Sequence, residues 1–137
     1  FGFKDRYSFH GTGVNMKMSE FHAAMGLASL PLVDRMRKRY NEIIRRYDEG
    51  LGRTHLDLTY YPIIYPSEKK LLRAIEIFEN NKIFVRRYFY PPLNKVFDGK
   101  KCPKAEELMS KILCLPLYYE LTNKEVDRII RITKNTL

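Results

Sequence analysis

Gly13-Val14-Asn15-Met16-Lys17-Met18-Ser19-Glu20-Phe21-His22-Ala23-Ala24-Met25-Gly26-Leu27 runs from a glycine-flanked loop with one Asn straight into an amphipathic helix rich in small residues. Ser19 is placed to cap that helix, and Glu20 stands in the first turn, where the positive end of the helix dipole favours an acid. Phe21, Ala24, Met25 and Ala28 recur at helical spacing, so one face is apolar. Ala23, Ala24, Gly26 and Ala28 leave room for another backbone to come close, as in a helix packed in an interface or against a sheet. Residues 1–17 read as loop, with Gly11, Gly13 and short polar residues.

Beyond this stretch Pro31 interrupts the pattern. A proline inside a helix lacks an N–H and clashes with the preceding turn, but at the first helical position it costs little. The sequence therefore predicts a break or sharp kink at Ser29-Leu30 and a second helical segment from Pro31. Val33, Met36, Tyr40, Ile43, Ile44 and Tyr47 carry its stripe to about Leu51, with Gly50 and Gly52 as its end. At ~1.5 Å per residue this segment is about 30 Å long, suited to a strut between domains.

Leu58 to Tyr65 reads as a strand, with Pro62 at an edge or bulge. Ser67 caps a helix with the apolar face Leu71, Leu72, Ile75 and Phe78, stopped at Asn80-Asn81. Ile83 to Tyr88 reads as a second strand, and Tyr90-Pro91-Pro92-Leu93-Asn94 as irregular chain. Pro103 opens a short helix to about Lys111, Ile112 to Leu115 is a short buried strand or an extended turn, and Thr122-Asn123-Lys124-Glu125 is a capping box for a last helix with Val126, Ile129, Ile130 and Thr133 facing inward. The fold class expected is α+β: a kinked, long N-terminal helix followed by a small sheet covered by helices.

With 137 residues, 45% of them hydrophobic, the chain has material for a core. No apolar run approaches the roughly 20 residues that span a bilayer, and no signal peptide is visible. The chain opens without Met on what reads as mid-domain sequence, as a fragment of a longer protein would. Cys102 and Cys114 lack metal spacing and suit reduced thiols in a cytoplasm. His10, His22 and His55 are scattered, and no metal site is expected. The net charge of +9 is spread. Its densest group, Arg35, Arg37, Lys38, Arg39, Arg45 and Arg46, interleaves with Asp34, Glu42, Asp48 and Glu49. A solvated helix face, a field for an anionic nucleotide diphosphate and an RNA-binding stripe are its three readings.

The opening stretch resembles the DegT/DnrJ/EryC1/StrS family of pyridoxal-phosphate-dependent nucleotide-sugar aminotransferases. That family's pattern here is Gly-x-Asn-x-Arg/Lys-Met-x-Glu/Asp, two residues on Ala-Ala, then Gly-Leu, and every element is present. Arg86-x-Tyr88-Phe89-x-Pro91 and Leu115-Pro116-Leu117-Tyr118 are similar to later family motifs in the same order. The resemblance implies the C-terminal small domain of a fold-type I aminotransferase. Residues 1–51 would be the end of the large domain and the connecting helix, and residues 52–137 the small α+β domain. Two departures stand out. The stretch Gly52–Thr59 is shorter than the family's usual one, and Asn94 stands where many relatives have His.

The resemblance also implies the function: transfer of an amino group, from glutamate as the usual donor, to a nucleotide-linked keto sugar in polysaccharide or amino-sugar biosynthesis. Pyridoxal 5'-phosphate would be the cofactor and a cytoplasmic homodimer the assembly, with no nucleic acid or membrane as partner. In the family the cofactor lysine and its acidic partner lie upstream of the Gly-x-Asn motif, so no catalytic residue is assigned here. Lys4 lies in an open polar loop, Lys17 fills the motif's charge-pairing slot, and Ser67-Glu68-Lys69-Lys70 is a chance match at a helix start. Asn15 takes the role of the motif's Asn, donating across the dimer to the phosphate of the partner subunit's cofactor; read alone, it is a turn residue beside Gly13. Arg86 and Tyr88 become substrate-binding candidates near the entrance, against a solvated Arg and a packed Tyr at a strand end. The alternative class is a non-catalytic interaction or regulatory module with a basic surface.

Overall fold

A computed structural model of the chain describes residues 2–14, 16–55, 59–88, 90–97 and 99–137. The sequence expectations at Asn15, Leu58 and Phe89 lie outside them. The chain divides into two compact units, Phe1–Asp34 and Arg35–Leu137.

In the first unit a small loop closes on itself. Phe3 and Phe9 form an isolated antiparallel bridge and stack at 4.8 Å between ring centroids. Asp5 accepts the Tyr7 and Ser8 N–H groups and so fixes the turn between them. Helix α1, Glu20–Ser29, begins at the predicted cap: the Ser19 hydroxyl accepts the His22 N–H and also meets His22 Nδ1 at 2.7 Å. No residue of α1 is buried, and Phe21, Met25 and Leu27 are all exposed. The interruption expected at Ser29-Leu30 is one 3-10 turn, Leu30–Leu32, with Pro31 at its start, where the missing N–H loses nothing.

The second unit holds the core. Helix α2, Val33–Leu51, buries Ile43, Ile44 and Tyr47. Gly52 ends it in the left-handed region, and Arg53 donates to the Asp48 carbonyl at 3.0 Å, the bond expected after a glycine-terminated helix. Gly50, expected to help end α2, is instead inside it. A Cβ there would lie 2.6 Å from Ile130 Cδ1, so its absence lets the last helix pack close.

Strand β1, Tyr61–Ile64, pairs antiparallel with β2, Ile112–Leu115. Pro62 lies opposite Cys114, whose own N–H and C=O point the other way, to Arg86. Pro62 thus occupies a position where no ladder donor is needed. Helix α3, Glu68–Asn80, starts at Ser67 and buries Leu71, Ala74 and Phe78. Leu72, placed on its apolar face from the sequence, is exposed and Ala74 is inside, because the buried stripe follows the Leu71-Ala74-Phe78 spacing. The strand expected over Ile83–Tyr88 does not form. That segment meets β2 only at the Arg86–Cys114 bridge, after Lys82 turns the chain at φ 59°. A short helix α4, Leu93–Val96, follows where irregular chain was expected. Helix α5, Pro103–Lys111, and helix α6, Asn123–Thr136, match their sequence signals. Val126, Ile129 and Ile130 of α6 join α2, α3 and the two strands in one hydrophobic cluster, and Thr133 is buried as well.

Buried hydroxyls have partners. Tyr47 donates to the Pro116 carbonyl at 2.9 Å, Tyr61 to Asp48 at 2.8 Å, and Thr133 to the Ile129 carbonyl at 2.8 Å. Part of the basic group on α2 is also spent inside the unit. Arg46 makes a two-pronged contact with Asp127 at 2.6 Å, Arg39 donates to Asn123 and the Leu121 carbonyl, and Arg35 lies over the Tyr119 ring. Arg37, Lys38 and Arg45 stay exposed.

The capping box at Thr122 and Glu125 has both its reciprocal bonds. Thr122→Ala removes the acceptor for the Glu125 N–H, and chemical denaturation should show a loss of about 1 kcal/mol. An unchanged unfolding midpoint would contradict this account of how α6 starts.

Candidate functional site

The bridge between Arg86 and Cys114 holds the Arg86 backbone by two hydrogen bonds, Arg86 N–H to Cys114 O at 3.2 Å and Cys114 N–H to Arg86 O at 2.9 Å. Alternation along the extended chain then sends Arg86 and Arg87 to different places. Arg87 turns inward. Its Nη2 donates to Glu68 Oε1 at 2.7 Å and to the Ser110 carbonyl at 3.4 Å, its guanidinium lies 3.4 Å from the Tyr90 ring centroid, and its Nε is enclosed without a partner. The Arg87 hydrogen bond lowers the Glu68 carboxyl below its usual range. Arg87 is thus committed to joining α3, α5 and the Tyr90 turn.

Arg86 is exposed and pairs with no carboxylate among the described residues. Its guanidinium lies 4.4 Å from the Tyr88 ring centroid, and Nη1 donates to the Tyr88 hydroxyl at 3.1 Å. Tyr60 closes the group, with its ring centroid 4.1 Å from that of Tyr88. The hydrogen bond with Tyr88 raises the Tyr60 hydroxyl above its ordinary value. The structure therefore brings together Arg86 and Tyr88 and adds Tyr60. The Tyr60-Tyr61 pair carried the signal for it: in a strand, one of two neighbours faces the core and the other faces away, and Tyr61 is the buried one.

The three side chains line a cleft of about 180 Å³, with Phe84, Pro116 and Leu117 as apolar wall and Cys114 behind. No His, Asp or Glu lines it among the described residues. A cation beside tilted aromatic rings suits an anion attached to a flat or sugar ring. Burial pushes the Cys114 thiol up to about 11, so it is inert near neutral pH.

Asn94 lies outside the cleft. Its Nδ2 donates to Glu106 Oε1 at 2.8 Å and to the Lys100 carbonyl at 3.2 Å. Glu106 also takes the Cys102 N–H at 2.9 Å and pairs with Lys95 at 3.0 Å. Together these lower its carboxyl from 4.5 to about 2.

A model of the DegT/DnrJ/EryC1/StrS aminotransferase family matches residues 1–134. The chain belongs to this family. It is 30% identical over 156 aligned positions to a dTDP-4-amino-4,6-dideoxy-D-glucose transaminase of Escherichia coli, covering 98% of this chain and 41% of that protein. A transaminase of the same name from Shigella dysenteriae is 32% identical, covering 95% and 41%. The chain thus spans about two-fifths of the length of the curated relatives it matches. The 156 positions exceed the chain's 137 residues, so the relative carries residues in this span that the chain lacks. Among solved structures, Spr1654 of Streptococcus pneumoniae in its PMP form superposes with a TM-score of 0.77 at 24% identity, covering 88% of this chain and 35% of that one. The same protein in its PLP form gives 0.76. The α+β architecture is therefore that of DegT-family aminotransferases.

The described residues of this DegT-family chain do not make a cofactor site by themselves. No lysine is buried; all are exposed except Lys111, which is half-buried and paired with Glu107. A lysine that holds a carbonyl cofactor needs desolvation or a cationic neighbour to shed its proton. No cluster of three metal-ligating side chains occurs among the described residues.

Two measurements follow from this geometry. At pH 8 a thiol reagent should label Cys102, which is exposed, and leave Cys114, which is buried, until the protein unfolds; rapid labelling of both in the folded state would contradict the packing. Glu106 should titrate near pH 2 by carboxyl NMR. Its folded value lies below its unfolded one, so its stabilisation is full above about pH 4.5 and fades as pH falls through about 2. Glu106→Gln should abolish that part of the acid sensitivity.

Proposed function

We propose that the chain is the C-terminal part of a pyridoxal-phosphate-dependent aminotransferase. The complete enzyme moves an amino group, with glutamate as donor, to a nucleotide-linked keto sugar in polysaccharide or amino-sugar biosynthesis. The observation that carries this reading is the match along 98% of the chain to a transaminase of a dTDP-linked amino sugar. The Arg86–Tyr88–Tyr60 cleft supports it, since a guanidinium over an aromatic ring, with no carboxylate partner among the described residues, suits the charged and ring-shaped parts of a nucleotide sugar.

In this reading residues 1–51 belong to the large domain and its connecting helix, and residues 52–137 form the small domain. The protein is a cytoplasmic homodimer. The exposed α1 face with Phe21 and Met25 favours burial against further protein, since contiguous apolar surface on a helix calls for a cover. No helix among the described residues is long and apolar enough to cross a membrane. The cofactor, when bound, supplies the carbonyl that accepts the amino group and the ring that takes up electrons. This chain's own part is recognition and assembly. Asn15 donates to the cofactor phosphate of the other subunit, while Arg86 and Tyr88 hold the substrate.

The test uses the full-length enzyme. It should aminate a nucleotide-linked keto sugar with glutamate, and Asn15→Ala should weaken cofactor affinity by roughly ten- to a hundredfold, about 1.5–3 kcal/mol, with the fold intact by circular dichroism. Unchanged cofactor affinity would refute the phosphate contact, and an enzyme that accepts no nucleotide sugar would refute the activity.

A further inference from the structure

Tyr60 and Tyr61 are both held from the end of α2. Tyr61 points inward and donates its hydroxyl to Asp48 Oδ1 at 2.8 Å. Tyr60 is held by its backbone: its carbonyl oxygen lies 2.6 Å from His55 Nε2. A carbonyl oxygen has no proton to give, so Nε2 carries the proton and donates. His55 is in turn fixed twice. Its backbone N–H donates to Asp48 Oδ2 at 3.1 Å, and its ring lies 4.9 Å from the Tyr61 ring. The Asp48 backbone carbonyl also takes the Arg53 N–H. One carboxylate thus organises the exit from α2, and one imidazole passes that placement to Tyr60.

Tyr60 then sets the cleft. Its ring stands against Tyr88, and Tyr88 carries the Arg86 guanidinium. His55 does not line the cleft; it reaches the cleft through the Tyr60 backbone. The geometry points to His55 as a positioning residue: we propose that its Nε2–H, on a residue whose backbone N–H is held by Asp48, fixes the Tyr60 carbonyl and so orients Tyr88 and Arg86 to take the diphosphate of a nucleotide. This rests on the reading that the Arg86 cleft is a nucleotide-sugar site, and it names the part of the ligand that the cleft receives. The imidazole donates through Nε2 whether neutral or protonated, so substitutions are the discriminating test.

The experiment is calorimetric titration of the full-length enzyme with thymidine 5'-diphosphate, the nucleotide of the similar transaminases. Arg86→Ala reports on the cleft itself. His55→Phe keeps a ring beside Tyr61 but has no donor, and His55→Gln restores an N–H of similar reach. Losing the one hydrogen bond should raise the dissociation constant about fivefold in His55→Phe, while His55→Gln stays within about twofold of wild type. Recovery in His55→Gln separates positioning from a general loss of fold, which that variant would not repair. If His55→Phe does not fold, His55→Glu, nearly isosteric with Gln and lacking the donor, takes its place. Wild-type affinity in the donor-less variant, with Arg86→Ala weakened, overturns the positioning role and leaves the cleft standing. Wild-type affinity in Arg86→Ala, or no binding to the wild type, overturns the cleft reading and the positioning role with it.

Discussion

Cys114 turns both its backbone polar groups away from β1 and toward Arg86, and much of the second unit follows from that choice. In an antiparallel pair, alternate residues bond to alternate sides. Because Cys114 bonds outward, β1 can carry Pro62 opposite it without a lost donor. The same bond brings the chain after Lys82 back against β2 at one point. That single bridge, short of a full strand, separates Arg86 from Arg87 and leaves Arg86 beside the Tyr88 ring. Cys114 itself is closed in behind them, and burial keeps its thiol protonated.

The helical layer is tied in a different way. Gly50 lets Ile130 approach α2, and the Arg46–Asp127 and Arg39–Asn123 contacts sit at the edge of that packing. Exposed ion pairs of this kind add little stability individually. The weight rests on buried apolar surface around Tyr47, Phe78 and Ile129, with the tyrosine hydroxyls satisfied so that their burial costs no orphaned group. With Arg35 over the Tyr119 ring, the Arg39 and Arg46 contacts engage three of the six cations in the densest basic group, which weakens its reading as one continuous stripe.

The helices were legible because their signals are local. Caps at Ser19, Ser67 and Thr122, the proline openings at Pro31 and Pro103, and the α6 stripe need no partner to be recognised. The Ile83–Tyr88 segment was read as a strand because its residues favour extended chain; strand formation, though, depends on which edge is free to pair, and sequence pattern alone does not carry that. Gly50 was read as a terminator for the same reason, since its close neighbour lies on a helix 80 residues away. At the site, Arg86 and Tyr88 came from motif resemblance. Tyr60 and His55 were missed because they join through space and through a backbone carbonyl, which no residue type signals. Asn15 lies outside the described residues, so its role stands on the motif alone.

The cleft's composition sets a division of labour. Among the described residues its lining offers a cation, three aromatic rings and apolar walls, with no His, Asp or Glu. A cation among aromatic rings suits an anionic ligand, and a net charge of +9 favours anions near the chain. Amino-group transfer needs an amine with a lowered proton affinity, and every lysine here is solvated or paired. In the proposed enzyme, recognition and chemistry fall to different stretches of polypeptide. Such an arrangement works only if the recognising cleft is held rigidly, because a small error in placement is carried into the reacting geometry. The doubled fastening of the Tyr60-Tyr61 pair to Asp48, by hydroxyl on one side and through an imidazole on the other, is the kind of rigidity this separation requires.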